Sequence, residues 1–178
     1  MATVKAKFTP AEVKKHTSRI LELAEELKKN KKKDENVTTI TAEEIDAKLK
    51  RVNSPMIIGQ SWSNVPLGGT FTYNVTIYNP DPTTAIWTFA YVFVGSGNVD
   101  PVTGTFLLNV DTRFPRLTQP DFAGMSIPSG GSVTQSFSIK VPATVEKTNY
   151  LGNTALMQFN WHDIGKYLDR SVFVFKVT

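Results

Sequence analysis

Cysteine is absent from the 178 residues, which excludes a disulfide framework and a thiolate metal site. Histidine is nearly absent too. His16 and His162 stand far apart, and neither G-x-S-x-G nor HExxH occurs, so triad and zinc chemistry lack their parts. No run approaches the roughly 18 apolar residues that span a membrane. The N-terminal stretch MATVKAKFTPAEVKK has no apolar h-region. These absences lead to the expectation of a protein made in the cytoplasm without a signal peptide. It would act outside a cell only by another route, such as on or in a virus particle, or after loss of a signal. Aromatics are missing from the first 52 residues apart from Phe8.

What is there divides the chain in two. Residues 1–52 hold 13 of the 20 Lys+Arg and 9 of the 16 Asp+Glu, a net of +4, while 53–178 balance at zero. The reading is a charged helical arm, 1–52, followed by a β-rich domain, 53–178, with a Thr/Ser/Asn surface.

Start signals place the arm's helices. Thr9-Pro10-Ala11-Glu12 is a capping box with Pro at the first helical position, stapled by Phe8 and Val13; Thr41-Ala42-Glu43-Glu44 repeats it with Ile40 and Ile45. Helices are expected over about 10–29 and 42–51. Val13, Ile20, Leu23 and Leu27 form a narrow stripe on the first, and Ile45, Leu49 and Val52 one on the second. Such thin stripes cannot hold a fold alone and must dock, on this chain's own β domain or on another subunit. The lysine run KKNKKKDEN between them is flanked by acids and lacks arginine and aromatics. A solvated helix end accounts for it better than nucleic-acid binding.

The β region alternates. In TFTYNVTIY, Phe71, Tyr73, Val75 and Ile77 point one way; Trp87 to Val94 is apolar on nearly both faces, as in a central strand. Asn79-Pro80-Asp81-Pro82 is turn chemistry, Ser132–Val141 alternates again, and Asn153–His162 and Ser171–Thr178 close the set. The long proline-bearing stretch from Arg113 to Ser129 suits a crossover between sheets. About seven short strands argue for an antiparallel two-sheet sandwich.

Three runs carry a resemblance: GGTFTYNVTIYNPDPTTAIW, IPSGGSVTQSFSIKVPATV and YLGNTALMQFNW. Together they resemble immunoglobulin-like domains of the CARDB-like (cell-adhesion-related) type found in prokaryotic surface and phage proteins. The resemblance covers about residues 56–178, and it implies a mainly β, antiparallel immunoglobulin-like sandwich carrying a two-helix arm. Tyr150 would then play a tyrosine-corner-like part. A viral jelly roll is the alternative β architecture. The motifs specify a scaffold, not an activity.

Searching the rest for chemistry yields little. His162 and Asp163, adjacent on a strand, point to opposite faces. Asp163 and Asp169 lack calcium-loop spacing. The sequons at Asn36 and Asn74 read as chance without secretion. Trp62, Trp87 and Trp161 suit a core at least as well as a sugar platform. No cofactor, metal or catalytic residue is expected.

One positive expectation concerns the sheet holding Trp87, Thr154 and Val172. If Trp87, Phe89, Tyr91, Phe93, Met157, Phe159, Trp161, Phe173, Phe175 and Val177 face the core, the outer face carries Ala90, Val92, Val94, Leu156, Val172 and Val174. That is too apolar for open water. The expected partner-binding residues are therefore Val13, Ile20, Leu23, Leu27, Ile45 and Leu49 on the arm, with Val92, Val94, Leu156, Val172 and Val174 on the sheet. The expected function is non-enzymatic: a structural or assembly protein, in a virion an accessory, decoration or minor capsid protein, anchored to other subunits by its arm. A carbohydrate- or cell-surface-binding module is the alternative. A capsid protein whose basic arm touches nucleic acid is the second.

Overall fold

Thr9 opens the first helix as its sequence dictates. In the computed structural model, which describes residues 8–51, 54–99, 106–114, 125–160 and 163–178, helix α1 spans Pro10–Lys29. The Thr9 hydroxyl accepts the Glu12 N–H at 3.3 Å, and the Glu12 carboxylate accepts the Thr9 N–H at 2.7 Å. Helix α2, Ala42–Arg51, starts on the same device, Glu44 accepting the Thr41 N–H at 2.8 Å. Between them lies a strand the sequence reading did not expect, β1 (Glu35–Thr39). Asp34, at φ 66°, turns the chain into it, a conformation aspartate tolerates better than most residues. The 1–52 segment thus contributes a sheet strand as well as helices.

Eight further strands follow: β2 (Met56–Ser63), β3 (Thr70–Tyr78), β4 (Ala85–Val99), β5 (Phe106–Val110), β6 (Met125–Ile127), β7 (Ser132–Lys140), β8 (Asn149–Asn160) and β9 (Asp163–Lys176). One antiparallel sheet runs β1-β2-β3-β7 and the other β5-β4-β8-β9, with β6 pairing β4. The architecture is an antiparallel immunoglobulin-like sandwich. β4 is central, flanked by β8 and by β5 and β6, as its two-sided apolar character required. Of the expected crossover, 115–124 lies outside the described residues, as do Val52, Trp161 and His162.

The inner faces meet in an aromatic core. Phe71 stacks on Phe175 with ring centroids 4.4 Å apart, and Tyr73 on Phe173 at 4.3 Å. Gly152 lies directly under Phe173, where a Cβ would sit 2.1 Å from the ring. Tyr73 is fully buried, and its hydroxyl lies 2.6 Å from both Gln60 Oε1 and Thr154 Oγ1; Gln60 Nε2 donates in turn to Ser171 Oγ. This chain of hydrogen bonds ties the two sheets together through an otherwise apolar interior, and burial pushes the Tyr73 phenol well above its ordinary pKa.

Tyr150 does play the corner part: its hydroxyl donates to the Glu146 carbonyl and accepts the Glu146 N–H, both at 3.0 Å. Beside it, Arg113 clasps Asp111 and Glu146. The guanidinium hydrogen bonds hold the Glu146 carboxyl down at about 2.

Helices α1 and α2 cover the outer face of the first sheet. Ile20, Ile45 and Leu49 bury themselves with Ile40, Met56, Ile58 and Tyr78, and Phe8, Val13 and Leu23 pack around this second core. Leu27 reaches over Gly59, where a Cβ would come within 2.5 Å of its Cδ1. His16 Nδ1 is 2.8 Å from the Tyr78 hydroxyl, and α2 is pinned by Lys48 to Asp169 at 2.6 Å. The arm is part of the fold.

Candidate functional site

The expected partner-binding set divides three ways. On the arm, Ile20 and Ile45 are wholly buried, Leu49 nearly so, and Val13, Leu23 and Leu27 are half-buried. These residues meet the chain's own first sheet, so the expectation that this stripe anchors another subunit is corrected: the apolar face of β2 and β3 lies within reach and has the same need for cover.

On the second sheet, Val92, Val94 and Leu156 point into the core, and their placement on the outer face is also corrected. A strand apolar on both faces carries no phase, so alternation alone could not say which set points inward. Ala90 joins them inside, while Tyr91, Phe93 and Met157, expected in the core, are only half-buried. The Trp87 and Phe159 side chains lie outside the described residues. For β9 the phase was right: Phe173, Phe175 and Val177 are buried, and Val172 and Val174 are 44% and 49% exposed.

That outer face is built in cross-strand rows. Phe89, Met157 and Tyr167 form one; Tyr91, Ala155 and Arg170 the next; then Phe93, Asn153 and Val172; then Gly95, Leu151 and Val174, with Val110 paired to Gly95 at the end. Tyr167 and Val110 are about as exposed as the two valines, at 52% and 50%. Within this surface the Asn153 Oδ1 atom is buried and has no hydrogen-bond partner among the described residues. An unmet buried acceptor is costly, on the order of 1–3 kcal/mol.

A second feature lies at the open side of the sandwich, where β1 of one sheet and β9 of the other stand as edge strands. The groove there has a volume of about 370 Å³ and is lined by Thr38, Ile40, Lys48, Gln60, Arg170 and Val172, among others. Much of the β9 edge beside it is closed by side chains. Asp169 Oδ2 accepts the Ile57 N–H at 2.8 Å, Trp62 Nε1 donates to the Val174 carbonyl at 2.7 Å, and Asn64 accepts the Lys176 N–H at 3.0 Å.

Sequence reasoning missed this groove entirely, because β1 gave no strong strand signal. No group of three or more His, Cys, Asp or Glu able to hold a metal occurs among the described residues. The lysine run ends α1 as expected, with Lys28 paired to Glu25 at 2.8 Å. No described helix is long and apolar enough to cross a membrane.

No protein-family model and no curated protein matches the sequence. Solved structures do. The C-terminal domain of wzt is 12% identical, covering 83% of this chain and 80% of its own, with a TM-score of 0.50. A CARDB domain from Pyrococcus furiosus, crystallised with di-metal ions, is 12% identical over 70% of this chain and 86% of its own, with a TM-score of 0.41. A cycloisomaltooligosaccharide glucanotransferase of Paenibacillus sp. is 13% identical over 65% of this chain but only 12% of the enzyme, with a TM-score of 0.42. Identities this low speak to architecture alone. Sheet order and the likeness to the wzt domain agree that the chain is an immunoglobulin-like sandwich, the architecture its CARDB-like motifs implied.

Proposed function

We propose that this chain is a non-enzymatic assembly module that associates with other copies of itself through the outer face of the β5-β4-β8-β9 sheet. One observation carries the reading: Val110, Tyr167, Val172 and Val174 stand about half exposed on a single sheet face, while the arm that could have covered such a surface is spent on the opposite sheet. Large apolar side chains gathered on one sheet face are the kind of surface that a partner covers. A virus particle, as accessory, decoration or minor capsid protein, is the setting this reading proposes.

Sedimentation of the full chain from about 10 μM to about 1 mM covers the range in which weak interfaces form. The reading expects mass to rise with concentration and Val174→Asp to hold the protein monomeric. A wild-type monomer throughout, or a variant that associates as well as wild type, contradicts it.

The exposed phenol of Tyr167 favours a second reading, a carbohydrate-binding face on which the ring stacks against a sugar. Glycan binding lost in Tyr167→Ala would support that reading instead.

A further inference from the structure

The groove at the open side of the sandwich offers something the outer face does not: a short length of strand edge with its backbone groups free. Residues of β9 alternate between facing β8 and facing away from it. Val177, an odd position, donates to the Thr148 carbonyl at 2.9 Å, whereas Lys176 turns both its N–H and its carbonyl outward, to Asn64 and Val65. The even positions of this stretch therefore point to the edge, and the pairing runs without a register shift from Asn149 to Leu156. Val174 gives its carbonyl to Trp62, and the Arg170 N–H is taken by its neighbour Asp169 at 2.9 Å. Four outward groups remain: the Arg170 carbonyl, both groups of Val172, and the Val174 N–H. No partner for them is recorded among the described residues.

Side-chain caps on either side of this window leave room for a strand of about five residues, or roughly 17 Å, and no more. A longer sheet-to-sheet pairing with a second copy would have to displace Trp62 and Asn64. The charge around the window is also uneven. Lys48 is neutralised by Asp169, and the Glu44 carboxylate is engaged by the Thr41 N–H. Arg170 lines the groove with no carboxylate partner among the described residues.

We propose that the groove between β1, α2 and β9 binds a short extended peptide carrying an acidic side chain. The peptide adds as an antiparallel strand on the β9 edge at Arg170–Val174, with its carboxylate against Arg170. Main-chain hydrogen bonds to Val172 supply affinity and the guanidinium supplies selectivity. The inference rests on the chain being a binding module, but not on the outer face being its assembly surface.

The test titrates the ¹⁵N-labelled full chain with two blocked heptapeptides, Ser-Thr-Val-Glu-Val-Thr-Ser and its counterpart with Lys in place of Glu. The glutamate peptide is expected to move the amide signals of Val172 and Val174 and to bind more tightly than the lysine peptide. Arg170→Glu should reverse that preference, by about tenfold on each peptide, as a charge reversal at an exposed contact does. Val172→Pro removes one outward N–H, which an edge strand tolerates, and should abolish binding while the far-UV spectrum stays native. Val174→Asp, which alters the outer face but not the backbone, should still bind, so failure of the assembly reading and failure of this one are told apart. The proposal is overturned if neither peptide moves Val172 at about 1 mM, the weak end of peptide recognition. It is equally overturned if Val172→Pro binds as wild type, or if maltohexaose moves these amides in place of peptide.

Discussion

Replacing Ile20 by alanine measures how much the arm contributes to the fold. Ile20 is 0% exposed and lies among Ile45, Leu49, Met56 and Tyr78 under α1. The substitution removes three carbons from that contact, about 2.4 kcal/mol at roughly 0.8 kcal/mol per buried methylene. The cavity left behind carries the cost into the range of about 2–5 kcal/mol. The neighbouring Leu21, about 100° further round the same helix, is 36% exposed. Its alanine variant should cost about 0.5 kcal/mol or less, since it leaves no cavity.

Urea unfolding followed by the fluorescence of the tryptophans, all of which lie beyond residue 52, reports on the sandwich rather than on the helices. Ile20→Ala should lower the midpoint with an unchanged slope, and lower Tm by about 4–20 °C, at about 2–4 °C per kcal/mol for a chain of this size. If Ile20→Ala and Leu21→Ala unfold the sandwich at the same urea concentration, the arm does not stabilise it and the reasoning fails.

Two further perturbations probe the polar contacts. Tyr73→Phe strands Gln60 and Thr154 without their shared hydroxyl and should cost about 1–3 kcal/mol in the same urea experiment, with little change in the backbone spectrum. His16 is held below its ordinary value of 6.5 by burial, with Lys15 adding to the effect and Glu12 opposing it. Across the interface it faces the Tyr78 hydroxyl, itself near Arg19. The unfolded chain therefore takes up a proton more readily than the folded one. Stability is fully present above pH 6.5 and declines as the pH falls through the depressed folded value. His16→Gln should flatten that decline in thermal melts taken from neutral to mildly acidic pH.

The sequence was most legible where local chemistry decides structure. Thr9 with Glu12, and Thr41 with Glu44, start helices because both halves of each capping box lie within four residues. Tyr73 and Phe71 declared their inward phase because the residues between them are polar. Legibility ended where a choice depends on distant partners. Nothing in Ala90-Tyr91-Val92-Phe93 distinguishes its two faces, and the winning phase is set by Phe173 and Gly152 across the sheet and by Tyr73 across the core. β1 was invisible for a related reason. Its five residues become a strand through pairing with β2, from Glu35 opposite Ser63 to Thr39 opposite Gly59, rather than through any apolar alternation of their own. The groove inherits that invisibility, because β1 and β9 meet there only after the chain has folded.

The central claim is that helices and sandwich form one cooperative unit, so that association must use some surface other than the helical stripe. Site-resolved hydrogen exchange on the native full chain tests it most directly. The amides of Ile20, Ala24 and Leu49 should be protected to nearly the same free energy as those of Val75 and Ile77 in the sandwich core. Exchange of α1 and α2 as a freely opening segment, many orders of magnitude faster than β3, would contradict the account.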